Sequence, residues 1–224
     1  MKLTWHGHGT WLIEAGDQRI VLDPFYDDNP SATVAAADVE ADYILISHGH
    51  FDHVADAAAI ANRTGATLVA IYEIAEWFSK NHSVEKTVGM NLGGSIELPF
   101  GKVKMTMAQH SSQLPDGSPG GVAAGFIVSA EGKSVYFACD TGLFSDMSLY
   151  QGVDVAVLPI GDWFTMGPAD SIEAIKLIQP KQVLPAHYGT WPPIEQDAEA
   201  WAKLVRDSTQ AEPVVLQPGL SIDV

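Results

Sequence analysis

Three histidines and an aspartate, His48, His50, Asp52 and His53, fall within six consecutive positions directly after the apolar run Tyr43–Ile46. Side chains at alternate positions of an extended loop point the same way, so His48 and His50 can bind one metal ion. Asp52 and His53 lie further round the turn, where they can bind a second ion. A solvated histidine-rich turn is the alternative interpretation, and it weakens once partners of the same chemical type are found elsewhere in the chain.

Three more residues of the ligand type each follow a segment whose pattern predicts a β-strand. Open α/β sheets gather their ligand sites at the carboxyl ends of their strands. An isolated histidine or aspartate after a strand is more often a cap or a turn residue, but four independent segments with the same placement form a joint signal. The three residues and their strands are His110 after Lys102–Ala108, Asp140 after Ser134–Ala138 and His187 after Val183–Pro185.

Strand-type and helix-type segments alternate along the chain, which predicts a layered α/β domain and not an all-β barrel. No short-period repeat and no linker divides the chain, so we expect one domain over residues 1–224. Residues 111–121 have the composition of a loop, which is either a mobile lid or a plain surface loop. The predicted strands are Lys2–Trp5, Thr10–Ala15, Arg19–Leu22, Tyr43–Ile46, Thr67–Ala70, Ser95–Leu98, Lys102–Ala108, Gly121–Ser129, Lys133–Ala138, Val153–Ile160, Gln182–Pro185 and Pro213–Leu216, and the predicted helices are Val54–Arg63, Ile71–Lys80, Ser171–Ile178 and Glu195–Arg206.

The chain is acidic, with 28 acidic and 12 basic residues and a formal net charge of −16. A general nucleic-acid binder needs Lys and Arg to neutralise phosphates, and a protein that adheres to an anionic membrane needs them too. We therefore expect a small-molecule substrate, with neither nucleic acid nor a membrane as partner.

No apolar run approaches the ~20 residues that a membrane span requires. The first residues lack the apolar stretch and the cleavage site of a signal peptide. The one cysteine excludes an internal disulfide and is typical of a reducing compartment. These features predict a soluble, cytoplasmic protein and leave its oligomeric state open.

The motif His48-x-His50-x-Asp52-His53, with the later His110, Asp140 and His187, resembles the metallo-β-lactamase superfamily. Residues 161–168 and 187–192 resemble a small branch of metal-dependent hydrolases near the ascorbate-phosphate lactonase-like proteins. The resemblance implies a four-layer αββα sandwich with the metal site at one edge of the two sheets.

Carried over by position, the resemblance implies two metal ions and their ligands. Five imidazoles and two carboxylates with no thiolate suit Zn²⁺, and Mn²⁺, Fe²⁺ or Ni²⁺ also fit. Two divalent ions outweigh the charge of two carboxylates and one hydroxide, which favours an anionic substrate or a developing oxyanion. The implied ligands are His48, His50 and His110 for the first ion, Asp52, His53 and His187 for the second, and Asp140 as the bridge.

The chain departs from the pattern of true β-lactamases. Their motif is His-x-His-x-Asp without a histidine directly after the aspartate, and they use a cysteine as a ligand of the second metal. Here His53 is present, and Asp140 holds the bridging position. Cys139 is adjacent, but neighbouring residues of an extended segment point to opposite faces, so we expect Cys139 in the core. Antibiotic hydrolysis is therefore disfavoured as the native activity.

Several residues outside the ligand set have two interpretations each. His8 is either a hydrogen-bond donor or general acid near the metals, or a surface or capping histidine. Asp23 resembles the family's aspartate that orients a ligand imidazole, with an Asp-Pro turn as the alternative. Tyr188 either contacts substrate or packs. Core packing is favoured over a pocket wall for three residues of the 161–168 segment, Trp163, Phe164 and Met166.

The sequence and the resemblance together predict a dinuclear metal-dependent hydrolase. A metal-bridging hydroxide would attack an ester, lactone or phosphoester of a small, anionic substrate, with Asp52 as the catalytic residue that orients it and accepts its proton. A phosphodiesterase or RNA-processing nuclease is the enzymatic alternative, because the same motif serves those reactions, although the acidity counts against it. A metal-binding regulatory protein is the alternative outside enzymes.

Overall fold

Two seven-stranded sheets, flanked by helices, form the framework of the computed structural model, which describes residues 1–224. Short 3₁₀ turns cover Ala36–Asp38, Ser145–Tyr150 and Pro192–Ile194. The strands are β1 (Lys2–Trp5), β2 (Trp11–Ala15), β3 (Gln18–Leu22), β4 (Tyr43–Leu45), β5 (Thr67–Ile71), β6 (Thr87–Met90), β7 (Ser95–Leu98), β8 (Gly101–Met107), β9 (Ala124–Ala130), β10 (Lys133–Phe137), β11 (Val155–Pro159), β12 (Gln182–Ala186), β13 (Glu212–Pro213) and β14 (Ser221–Asp223), and the helices are α1 (Phe51–Val54), α2 (Ala57–Thr64), α3 (Tyr72–His82), α4 (Pro168–Ile178) and α5 (Ala198–Ser208).

Each sheet has an antiparallel half and a parallel half. The first sheet runs in the order β14-β1-β2-β3-β4-β5-β6, and its strands are parallel from β3 to β6. The second runs β13-β12-β11-β10-β9-β8-β7, and its strands are parallel from β13 to β10. Parallel neighbours need crossover connections. Helices α2 to α5 lie in these crossovers, so the carboxyl ends of the parallel strands of each sheet share one edge.

The alternation of side chains along a strand divides the core into two clusters. On β10, Val135 and Phe137 belong to the larger cluster, where the ring of Phe137 lies 6.1 Å from that of Trp11 in the first sheet. Tyr136, between them, belongs to the smaller cluster with Trp201 of α5. Helix, sheet, sheet and helix therefore form four layers.

Most elements lie where the sequence predicts them, including the end of α2 at Gly65, which has φ 72°. The predicted strand at Pro213–Leu216 is wrong in extent, since pairing stops at Pro213. Strands β6 and β14 were not predicted. For β6 there is a local reason. Its pattern is interrupted by Gly89, where a Cβ would lie 2.9 Å from the ring of Tyr72. None of the helices has the length and apolar character needed to span a membrane.

Candidate metal centre

Loops at the carboxyl ends of four strands bring the seven predicted metal ligands together. Residues 48–53 follow β4 in the first sheet, whereas His110, Asp140 and His187 follow β8, β10 and β12 in the second. Two of these loops turn sharply, because His187 and Cys139 have positive φ angles of 52° and 54°. Residues other than glycine adopt this conformation infrequently. The centre therefore lies where the edges of the two sheets meet.

Three imidazole nitrogens converge in a first cluster. Nε2 of His48 lies 2.9 Å from Nδ1 of His50, and Nε2 of His110 lies 3.2 Å from the same atom. Ser47 sets the tautomer of His48, because its hydroxyl donates to Asp23 at 2.6 Å and accepts from Nδ1 of His48 at 2.9 Å. Nε2 of His48 therefore presents a lone pair to the other two rings.

Asp140 lies between this cluster and a second one. Its Oδ2 atom is 3.7 Å from Nε2 of His110 and 4.0 Å from Nε2 of His48. The same oxygen is 3.5 Å from Nε2 of His53 and 3.0 Å from Nε2 of His187. One carboxylate oxygen thus faces ring nitrogens of both clusters, as a bridging ligand would.

Asp52 completes the second cluster. Its Oδ2 atom lies 3.6 Å from Nε2 of His53 and 3.7 Å from Nε2 of His187. Asp23, which is buried, accepts a hydrogen bond of 2.8 Å from Nδ1 of His53. This contact directs Nε2 of His53 towards the two carboxylates of the site. Asp23 thus occupies the orienting position that the family resemblance implies.

His8 is fully buried behind Asp52. Burial and then the charge of His187 lower the pKa of His8 to about 4, so the ring is neutral. Its Nε2 atom donates to Oδ2 of Asp52 at 2.8 Å, and its Nδ1 atom accepts from the hydroxyl of Thr190, also at 2.8 Å. His8 therefore holds the carboxylate of Asp52 in place. Sequence reasoning gave no signal for Thr190.

Charge coupling keeps both carboxylates of the centre ionised. Burial raises the pKa of Asp140, but the charges of His187 and His53 outweigh it and hold that pKa well below its usual range. The pKa of Asp52 is also lowered, because its burial is outweighed mainly by the charge of His53. Burial lowers the pKa of His187 and Asp140 raises it, with a net value of about 9. Protons on these histidines thus supply the positive charge that a metal ion would replace.

Several buried polar atoms of the centre make no hydrogen bond of normal geometry, namely Nε2 of His53, Oδ1 of Asp140 and both ring nitrogens of His187. Native proteins seldom leave such atoms unpaired. Imidazole and carboxylate donors without a thiolate suit Zn²⁺ and other borderline divalent ions. The residues present therefore fit the divalent metals that the family resemblance implies.

A cavity of about 330 Å³ opens over both clusters, and Phe51, Phe164 and Trp191 line it beside the ligand candidates. Phe164 is 53% exposed and Trp163 is 75% exposed, so the predicted core packing is wrong for both. A tight turn at this point directs their side chains outwards. Met166 is 1% exposed and lies in the core as predicted.

Residues 111–121 form a wall beside the 48–53 loop. The hydroxyl of Ser112 accepts from the backbone N–H of Gly49 at 3.1 Å and donates to the carbonyl of Gly120 at 2.9 Å. Leu114 is buried. Of the two interpretations left open by the sequence, these contacts favour a fixed surface loop over a lid.

Tyr188 and Cys139 do not line the cavity over the two clusters. The ring of Tyr188 stacks on Trp5 with centroids 5.3 Å apart, and burial raises the pKa of Tyr188 to about 12. The thiol of Cys139 donates to the carbonyl of Phe137 at 3.7 Å, and burial raises its pKa. For Tyr188 the structure therefore supports packing, not substrate contact.

Two mixed sheets between helices, with a histidine–aspartate centre at their common edge, define the metallo-β-lactamase class of proteins. A family model described as a beta-lactamase superfamily domain matches residues 18–188. The predicted superfamily and the predicted four-layer αββα sandwich are both confirmed.

Relatives that align along the whole chain show which family within this superfamily the chain belongs to. A UPF0173 metal-dependent hydrolase of Pelotomaculum thermopropionicum is 43% identical over 231 residues, covering 100% of both chains. Another, from Thermus thermophilus, is 44% identical over 221 residues, covering 98% of this chain and 97% of the relative. The chain belongs to this family of metal-dependent hydrolases, and the prediction that it is such an enzyme is confirmed.

A solved structure shows the same architecture. Igni18, a metallo hydrolase from the hyperthermophilic archaeon Ignicoccus hospitalis, matches with a TM-score of 0.88 and 34% sequence identity. The match covers 100% of this chain and 98% of that one.

Proposed function

We propose that the protein binds two divalent metal ions, zinc foremost, and hydrolyses an ester, lactone or phosphoester of a small, anionic substrate. The observation that carries this proposal is the position of Asp140, whose Oδ2 lies within 4.0 Å of ring nitrogens from both clusters. A carboxylate in this position can be shared by two ions. Manganese, iron or nickel would suit the same donors.

The chain's own residues have separate tasks in this proposal. When bound, the ions supply a hydroxide nucleophile near neutral pH and stabilise negative charge on the scissile oxygen. Asp52, whose side chain is 20% exposed towards the cavity, orients the attacking water and accepts its proton. His8 fixes the carboxylate of Asp52 by a hydrogen bond. The ligands would be His48, His50 and His110 for one ion, Asp52, His53 and His187 for the other, and Asp140 for both.

Elemental analysis of protein purified without chelator tests the metal stoichiometry. We expect about two metal equivalents per chain, the number that a bridged pair of ions requires. His48→Ala should remove about one equivalent, whereas Asp140→Ala should reduce the occupancy of both sites. Less than half an equivalent in the reloaded wild-type protein would contradict the dinuclear centre.

A substrate panel tests the reaction. Metal-loaded protein is assayed on lactones, carboxylic esters, thioesters and phosphodiesters, and on an RNA precursor. We expect turnover of a small ester or lactone, with little dependence on salt. Turnover of the RNA alone, weakening steeply as salt rises, would favour the nuclease. Full metal content with no turnover of any compound would favour a regulatory metal-binding protein.

A further inference from the structure

Large aromatic side chains stand exposed at the mouth of the metal centre. Phe51 is 49% exposed and Phe164 is 53% exposed, and both line the cavity with Trp191. Soluble proteins rarely leave grouped aromatic rings in contact with water without a binding role. Ligand pockets typically combine such apolar walls with a few polar groups that fix orientation. The arrangement is therefore that of a binding surface for an apolar group.

Phe51, Phe164 and Trp191 form the aromatic wall of the cavity, and the buried ring of Phe25 supports two of them. Phe25 is 0% exposed, and its ring centroid lies 5.6 Å from that of Phe51 and 6.0 Å from that of Trp191. Phe51 is also the first residue of α1, inside the metal-binding motif. Two wall residues from distant parts of the chain thus share one rigid support, and they are fixed relative to the ligand candidates.

A strained turn of the backbone positions Phe164, the third aromatic residue of the cavity wall. Asp162 and Trp163, directly before Phe164, have consecutive positive φ angles of 61° and 52°. Such a conformation is costly for residues with side chains and persists where the surroundings enforce it. The carboxylate of Asp162 accepts from the N–H of Trp163 at 2.8 Å, and the N–H of Met166 donates to the carbonyl of Thr141, beside Asp140, at 2.8 Å.

The cavity lining contains no lysine or arginine. Apart from the ligand candidates, its one polar residue is Ser111. Outside the metal centre, the lining therefore offers no cationic side chain to an anionic group. An apolar part of a substrate that extends from the centre can pack against the aromatic carbon of Phe51, Phe164 and Trp191. A cavity of about 330 Å³ has room for one aromatic ring beside a reacting ester group.

We infer that the substrate carries an aromatic group, which packs against Phe51 and Phe164 while its ester or lactone carbonyl faces the metal centre. This inference rests on the proposed hydrolytic function and specifies its substrate class. Hydrolysis adds one water across the acyl–oxygen bond and releases a carboxylic acid and an alcohol, so no further reactant is needed. Phe164 then determines specificity without taking part in the reaction.

Matched esters test this inference on the metal-loaded enzyme. Methyl acetate, methyl phenylacetate and benzyl acetate contain the same type of reacting bond. Their leaving alcohols, methanol and benzyl alcohol, are similar in acidity. We expect kcat/KM for the better aromatic ester to exceed that for methyl acetate by about tenfold or more, the discrimination typical of an apolar pocket. Phe164→Ala should lower this ratio about tenfold. Phe164→Leu, which keeps apolar contact, should lower it less.

Leu149→Ala is the control, because Leu149 is an apolar side chain with 75% exposure that does not line the cavity. It should leave both the ratio and the activity within about twofold of wild type. A wild-type enzyme that hydrolyses all three esters with equal kcat/KM, or a ratio unchanged in Phe164→Ala, would overturn the inference while the hydrolytic function stands.

Absence of turnover with every ester would count against the proposed function. In that case, calorimetric binding of two carboxylates still tests the aromatic binding site. Phenylacetate should bind the metal-loaded protein at least about tenfold more tightly than acetate, and Phe164→Ala should remove most of the difference. Equal affinities for the two acids would overturn the aromatic site itself. Metal content is measured in every sample.

Discussion

Single contacts set the direction of each reactive atom in the metal centre. The hydroxyl of Ser47 connects His48 to Asp23, and Asp23 also accepts from His53. One buried carboxylate thus orients a ligand candidate in each cluster. Such supporting contacts fix ring orientation and raise ligand basicity. Replacement of Asp23 would therefore affect both clusters, although the resemblance links it to one imidazole.

At the residue scale, we predict that Asp52→Asn lowers kcat by a factor on the order of 10² or more at equal metal occupancy. Asparagine keeps the shape of the side chain but loses its charge and its capacity to accept a proton. The measurement is kcat at saturating metal, with occupancy determined in the same sample. Asp146→Asn, an exposed aspartate of the Ser145–Tyr150 turn, is the control.

A fully metallated Asp52→Asn protein with near wild-type kcat would show that this carboxylate is only a ligand. The proton would then pass to His8 or to the substrate itself.

A second prediction concerns His6, which is buried against Tyr26 with ring centroids 5.4 Å apart and has no partner for Nδ1. Burial lowers the pKa of His6 below its ordinary value of 6.5, so the unfolded chain takes up a proton that the folded chain does not. The contribution of His6 to stability therefore falls as the pH drops below 6.5. His6→Phe should remove this contribution, which has a slope of at most about 1.4 kcal/mol per pH unit.

Urea unfolding of both proteins at pH 7.5 and pH 5.5, in the presence of chelator, measures the difference. Equal losses of unfolding free energy in wild type and His6→Phe would show that His6 titrates alike in the folded and unfolded states.

At the scale of elements, the loop after β11 and the loop after β12 are in contact at a glycine. A Cβ on Gly161 would lie 2.2 Å from the carbonyl oxygen of His187 and 3.1 Å from Cβ of Ile194. We predict that Gly161→Ala destabilises the protein by about 1–3 kcal/mol, as overpacking does. It should also weaken metal binding by the second cluster, because the His187 loop must move.

Gly142→Ala is the matched control, since the nearest atom to its added Cβ is 4.0 Å away. Urea unfolding and metal titration are the measurements. Similar stability and metal affinity in the two variants would mean that the His187 loop accommodates the extra methyl group without effect on the centre.

The strands that carry the ligands were predictable from the sequence because apolar runs end directly before Asp140 and His187 and one residue before His48. The sheet pairings were not, since long-range pairs such as β1 with β14 have no local signal. Ser47 and Thr190 were missed for a similar reason, because a lone hydroxyl residue is common in loops. The core packing predicted for Phe164 failed because an aromatic side chain at a tight turn has the same sequence pattern whether it is buried or exposed.

At the scale of the whole molecule, the two sheets are joined by the centre at their edge. We predict that removal of metal lowers the unfolding free energy, because ions that bind only the folded protein stabilise it by mass action. The loss should be at least about 2.7 kcal/mol relative to protein with free metal at 100 times its dissociation constant. Urea unfolding with and without EDTA measures it.

The double variant His48→Ala/His187→Ala loses a donor from each cluster and is the control, so EDTA should change its stability little. Identical unfolding curves for the wild-type protein with and without EDTA would contradict a stabilising metal centre.

The division of the centre between two sheets has a consequence for inheritance. The chain passes from the first sheet to the second at residues 91–94 and returns to the first sheet only with β14, so four ligand candidates precede this junction and three follow it. Recombination between two related genes at the junction would exchange these groups as intact blocks. Each block would still need a partner block that aligns Asp140 with imidazoles from both sides and that pairs β14 with β1. Natural or laboratory chimaeras of this family should therefore survive crossovers at residues 91–94 more often than crossovers within either block.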